Sequence, residues 1–319
     1  ILSSMEGVDR FHWNLARGFF AIPCACATFG IVGNSIIFLT TIGTRTLRNT
    51  YNILIAICAL ADVFHQFGTL VQVPFLFDYF LIIDSKLCGI ILILPEMGIG
   101  VGCGCILSIG LDRMISVVFS TRYRKFDKHY YHGILGSLIV SYCLFLAYLM
   151  IEYYRPRLVL CEVMAPYADE GIMWFASANF LINATSVCIY FVMWLGLRSH
   201  ADSKGMRRII KSLFIVVVVD VSGWVLTPGL IELSQHVDWE PQQKFVWAYF
   251  CIIFVNLGIS AKLVIYYSTR FENFTQTEQH RLIFSSEYRA ALKSFRFRKS
   301  SLSRTSVVET RTITIVSTR

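Results

Sequence analysis

Charge is scarce in this 319-residue chain. Only 16% of its residues are Asp, Glu, Lys or Arg, where a soluble enzyme domain needs about 25% to solvate its surface. Disorder is excluded from the other side, because 25 Phe and 15 Tyr are far too many for an unfolded chain. Catalytic signatures are missing as well: there is no His-Glu-x-x-His, no Walker loop and no Gly-x-Ser-x-Gly. The expectation is therefore a protein that is not an enzyme and has neither cofactor nor metal. The isoelectric point near 9.0 suggests nucleic acid at first sight, yet no groove-reading motif accompanies it. What is abundant is oil, with 55% hydrophobic residues and a mean hydropathy of +0.58.

A bilayer core about 30 Å thick takes about 20 helical residues at 1.5 Å each. Seven apolar stretches reach that length, at about 18–42, 52–80, 88–118, 132–154, 172–197, 209–234 and 244–268. Runs such as Ile215 to Val219 do not alternate polar with apolar residues, which argues against a β-barrel. The predicted fold class is an all-α membrane protein, a bundle of seven transmembrane helices. Its division is a short outer segment at 1–17, the membrane domain at 18–268, a connection at 269–299 and a disordered tail at 300–319. A six-span reading stays open because only Asp84-Ser85-Lys86 separates the second stretch from the third.

Lys and Arg set the orientation. With the start of the chain outside, the outer segments hold six of the 29 cations, the inner loops eleven and the tail after residue 268 ten. Carboxylates lean the other way, eleven outside and six inside. The predicted location is the plasma membrane, multi-pass, with the N-terminus extracellular and the C-terminus cytoplasmic. The first apolar stretch, followed by Arg45 and Arg48, reads as a signal anchor rather than a cleavable leader.

Of ten cysteines, eight fall within the apolar stretches, where a thiol acts as a small hydrophobe. Cys88, at the outer tip of the third stretch, and Cys161, in the loop after the fourth, both face the oxidising side, so a disulfide between them is expected. Gly98, Gly100, Gly102 and Gly104 mimic a phosphate loop, but they sit in an apolar helix without a following lysine. Spaced by four, they form two pairs that let neighbouring helices approach.

Ionisable residues inside the spans are Asp62, His65, Glu96, Asp112, Arg113, Asp220 and Lys262, each expected to be buried with a partner. Asp62 lies near mid-membrane with His65 one turn further on the same face. Arg113 is about 37 Å along the helix from Cys88, which carries it to the inner interface. Glu96 is only about 12 Å from Cys88, in the outer half. It is a candidate ligand contact, with Asn179 and Asn183 as candidate polar partners; hydrogen bonding within the bundle is the alternative.

Taken in order, these residues resemble a rhodopsin-like G-protein-coupled receptor. The features are Gly33-Asn34, Leu60-Ala61-Asp62, the Cys88 and Cys161 pair, Leu111-Asp112-Arg113 and the tyrosine pair Tyr266-Tyr267 ending the seventh span. More narrowly, the segments Asn52 to Asp62, Ile109 to Val117 and Glu287-Tyr288-Arg289 resemble nematode chemoreceptors, closest to serpentine receptor class sx. The resemblance implies an extracellular ligand, a heterotrimeric G protein, and a kinase and arrestin at the tail.

It also implies roles. Asp112 and Arg113 would serve G-protein coupling, against the plainer reading of a charge pair that fixes helix depth. Asn34, Asp62, His65, Lys262 and Tyr266 would form an intramembrane polar network, and Trp224 with Pro228 the switch of the sixth helix. Departures are equally definite. Met114 follows the arginine, the fourth span has no Trp, and the fifth has no Pro. Trp224 precedes Pro228 by four residues rather than two. Aligning Tyr266 with the family tyrosine puts Lys262 where Asn is usual and Leu263 where Pro is usual. A lysine there would pair with Asp62 in place of sodium, or else snorkel to the inner interface. The stretch Phe271 to Ser286 is longer than the family's usual connection.

The segment Glu287 to Lys299 puts Tyr288, Ala291, Leu292 and Phe295 on one helical face with basic residues beside it, the pattern of a helix lying on membrane lipid. Serines beside arginines in the tail suit basic-directed kinases. A seven-helix transporter or channel, or a receptor-like partner subunit that has lost coupling, are the rival functions.

Overall fold

The computed structural model describes residues 9–45, 48, 50–77, 82–123, 125–199 and 204–265. Seven long helices account for most of them: α1 Arg10–Gly43, α2 Thr50–Phe77, α3 Ser85–Val118, α4 Lys128–Glu152, α5 Glu170–Ser199, α6 Lys204–Gln235 and α7 Pro241–Ser260. Each contains a segment long and apolar enough to cross a membrane. A turn at Ala261 follows α7, and helical backbone resumes over Lys262–Ile265. Tyr266, the stretch 271–286, the surface-helix segment and the tail all lie outside the described residues.

Acidic residues fix several helix starts. Asp9, Asp84 and Asp127 each stand just before a helix and accept a hydrogen bond from its first turn, at His12, Lys86 and His129 respectively. Glu240 and Gln243 form a capping box at the start of α7, with Pro241 in the first turn. The first cap explains why α1 begins at Arg10 rather than near residue 18. Its opening turns are not oily, but they pack: Trp13 meets Phe245 edge-on, and Arg17 donates to the carbonyls of Leu76 and Phe77.

A two-stranded antiparallel ribbon joins β1 (Ile82–Asp84) to β2 (Leu158–Leu160), with Ile83 opposite Val159. The polar hinge Asp84-Ser85-Lys86 is thus the end of a strand and the cap of α3, and the six-span reading fails. Below, the end of the bundle holding Cys88 is called upper and the end holding Arg113 lower.

Helix α3 runs through the middle, and its glycines divide between neighbours. A Cβ on Gly98 would stand 2.6 Å from the Ala61 carbonyl oxygen of α2, while on Gly104 it would stand 3.2 Å from Ile139 Cα of α4. The four-residue pairs therefore face different helices. The two largest apolar clusters fill the lower and upper interior. The lower one includes Ile37, Ile55, Ile109, Leu135, Tyr190 and Val217; the upper one includes Ile99, Leu146, Tyr167 and Phe175.

Candidate functional site

At the lower end, Asp112 is fully buried and every oxygen is engaged. Oδ1 accepts from the hydroxyls of Tyr123 at 2.8 Å and Tyr131 at 3.0 Å, and Oδ2 accepts from Arg113 Nε at 2.8 Å. The Arg113 guanidinium also pairs with Oδ2 through its terminal nitrogen and lies 4.6 Å over the Tyr51 ring. Tyr123 sits on the short turn Ser120–Tyr123 after α3. Burial and the Asp112 carboxylate push its phenol up to about 12, so it stays a donor. The three tyrosines were invisible as partners in the sequence, because nothing in their spacing relates them to Asp112.

Midway down, Lys262 Nζ lies 2.8 and 3.0 Å from the two oxygens of Asp62 and 3.5 Å from Asp220 Oδ2. The expected pair of Asp62 and Lys262 is formed, and a third charge joins it from α6. Backbone proximity brings Asp220 there. A Cβ on Gly258 of α7 would stand 3.0 Å from the Val219 carbonyl oxygen, and one on Gly223 of α6 2.6 Å from that of Phe254. Lys262 is one turn beyond Gly258, hence on the same face. The only hint in the sequence was an acid without an obvious role in the sixth span. Asn34 is buried beside the pair and, with Asp62, Cys58 and Lys262, lines a small cavity.

One turn above Asp62, the His65 ring meets Trp224 edge-on at 5.5 Å. Trp224 packs against the upper cluster, and Pro228 stands one turn higher in α6 on an exposed face. A second polar set binds α2, α7 and α1: Gln66 Nε2 donates to Ser260 Oγ at 2.6 Å, Ser260 donates to the Cys26 carbonyl at 2.7 Å, and Thr69 donates to Asn256 at 3.1 Å.

In the upper half, Glu96 is fully buried; Oε2 accepts from the Tyr167 hydroxyl at 3.1 Å, and Oε1 has no hydrogen-bond partner among the described residues. Asn179 and Asn183 are not its partners. They gather about Cys103, at 3.6 and 3.7 Å from the sulfur, roughly 10 Å further along α3 than Glu96. The physical reason is a helix-depth mismatch: both amides also donate to the carbonyls one turn back in α5, Asn179 to Phe175 and Asn183 to Asn179.

Tyr167 belongs to the loop between α4 and α5. Cys161 of that loop is bonded to Cys88, with the Cα atoms 5.4 Å apart. Ser85 Oγ donates to the Arg155 carbonyl at 2.7 Å, and Arg157 donates to the Tyr167 carbonyl at 2.6 Å, so the loop is pinned over the bundle. Burial pushes Glu162 in the same loop up to about 7, with Arg157 opposing the shift. Among the described residues no cluster of His, Cys, Asp and Glu could hold a metal ion.

A family model described as serpentine-type seven-transmembrane G-protein-coupled chemoreceptor Srsx matches residues 27–279. The chain belongs to this family. The receptor is also similar to neuropeptide Y receptor type 2 of Mus musculus and of Bos taurus, at 25% identity in each case over 72% of this chain and 67% of the relative. The sequence-level expectation of a seven-helix receptor that is not an enzyme agrees with both comparisons and with the bundle.

Proposed function

We propose that the receptor lies in the plasma membrane with its upper end outside, binds an extracellular small molecule or peptide from above, and activates a heterotrimeric G protein below. The observation that carries this reading is Arg113, held at the lower end of α3 by an aspartate that two tyrosines keep buried. A paired arginine at that interface is one state of a two-state element that a partner could engage once the pair opens. Basic residues concentrated in the lower loops and tail support the orientation.

Ligand reaches the pocket around Glu96, whose unpartnered oxygen beneath the disulfide-tethered loop supports a contact there. Asn179 and Asn183 line the next level down, and Trp224 with Pro228 transmits the change to α6. The tail receives kinases and then arrestin, and the segment 287–299 lies on lipid; sequence composition supports both.

Ligand panels applied to a reporter cell carrying the receptor test this directly. Agonist-evoked G-protein activation that disappears in Arg113→Ala at equal surface expression is the expected result. Solute flux in liposomes without signalling would replace the reading with a transporter, and silence in both with a partner subunit.

A further inference from the structure

We infer that Lys262 clasps α6 to α2 and α7 by serving two carboxylates at once, and that Asp220 is the positioning residue whose separation from Lys262 frees the lower part of α6. The inference rests on the reading of the chain as a signalling receptor.

Three charged side chains meet where water is excluded: relative exposure is 5% for Lys262, 6% for Asp62 and 2% for Asp220. One ammonium for two carboxylates makes their arrangement unequal. Asp62 holds Nζ with both oxygens, at 2.8 and 3.0 Å, whereas Asp220 reaches it with one, at 3.5 Å. The other oxygen of Asp220 has no hydrogen-bond partner among the described residues. The α2 contact is tight and the α6 contact is loose, so the α6 contact parts first when the helices separate.

Parting leaves the lysine satisfied. Asp62 keeps the ammonium, so the one charge left without a partner is Asp220, carried on the helix that moves. Asp220 is also on the part of α6 that can move. It lies about 12 Å below Pro228, whose missing amide removes one hydrogen bond from an otherwise continuous helix and supplies a hinge. Between the two stands Trp224, in edge contact with His65 and packed against the cluster that includes Tyr167 and Phe175. A ligand that displaces Tyr167 therefore disturbs the upper tier of the clasp, and the charged tier below responds.

A simple pair and a shared lysine differ in how their variants rank. In a simple pair, Asp62→Asn and Lys262→Gln each strand one charge and cause equal harm. In the clasp, Asp62→Asn leaves Lys262 with Asp220, Asp220→Asn leaves Lys262 with Asp62, and Lys262→Gln strands two acids. The full-length receptor in nanodiscs, followed by thermal melting and by hydrogen exchange of peptides covering 214–221, separates them.

Lys262→Gln should melt lowest or fail to assemble, with both aspartate variants melting above it. Asp220→Asn should accelerate exchange in 214–221 on the order of tenfold, within the range usual for a two-state coupling. Asp62→Asn should not, and Asp220→Glu, with a longer reach to Lys262, should restore slow exchange. Basal G-protein activation in cells should rise in Asp220→Asn. Unchanged exchange in Asp220→Asn, or a Lys262→Gln receptor as stable as Asp62→Asn, overturns the clasp. Accelerated exchange in a receptor that never activates a G protein, with or without ligand, supports the clasp and counts against coupling instead.

Discussion

Tyr167 donates its hydroxyl to Glu96 Oε2 at 3.1 Å, so that a loop residue closes over the one acid buried in the upper half of α3. Losing that donor leaves a buried carboxyl without a partner, which typically costs about 1–3 kcal/mol. Tyr167→Phe should therefore lower the melting temperature of the purified receptor. Glu96→Gln, which can still accept from Tyr167, should melt near the parent while weakening the first cationic agonist found by at least about tenfold, the weight of a hydrogen bond to a charged group. Equal potency in Glu96→Gln would remove the ionic contact from the ligand site.

The lower end gives a second expectation. Tyr123→Phe and Tyr131→Phe each remove one hydrogen bond to the Asp112 carboxylate, worth about 1.5–3 kcal/mol apiece. Both should loosen the pairing with Arg113 and raise basal G-protein activation. Because they share one oxygen, the double variant should exceed either single change but fall short of their sum. Basal activity unmoved in all three would separate the tyrosines from the state of Arg113.

Glycines offer a matched comparison within one protein. Gly98→Ala places a methyl 2.6 Å from a backbone oxygen of α2, where neither side can yield cheaply, and overpacking of this kind costs about 1–3 kcal/mol. Gly136→Ala on α4 meets nothing within 4 Å. Thermal melting should fall clearly in the first and hold or rise in the second; equal shifts would mean that the approach of α2 to α3 is not tight.

Glu162 predicts a pH dependence. Burial raises its folded value from the ordinary 4.5 to about 7, so between those values the folded receptor holds a proton that the unfolded chain has released. Stability must fall as pH rises through that window and level off above it. The melting temperature should be higher at pH 5 than at pH 8, and Glu162→Gln should flatten the difference. A slope that survives in the variant would assign it to another group.

Reduction provides the last prediction. The Cys88–Cys161 bond closes a loop of 73 residues, and removing such a native disulfide typically costs about 2–5 kcal/mol. Mild reductant, or Cys88→Ser, should lower the melting point and release the loop that carries Tyr167, seen as faster hydrogen exchange over 157–168. Peptide mapping without reductant should recover the two cysteines linked.

How much of this was legible in the sequence follows from the range of the forces involved. Hydrophobic length is local, so the seven spans, the end of each at which charges gather and the depth of Asp62, Glu96 and Arg113 could all be computed from residue counts at 1.5 Å each. Glycines four apart announced close helix contacts for the same reason, and the two cysteines at the oxidising end announced their bond. Side-chain partners on different helices are another matter. Asp220 reaches Lys262 because Gly223 and Gly258 let two backbones meet, Tyr131 reaches Asp112 from the first turn of the next helix, and Asn179 turns to Cys103 rather than Glu96 because of rotation and depth. Those depend on how helices are rotated and stacked against one another, which periodicity along a single chain leaves free and packing alone decides.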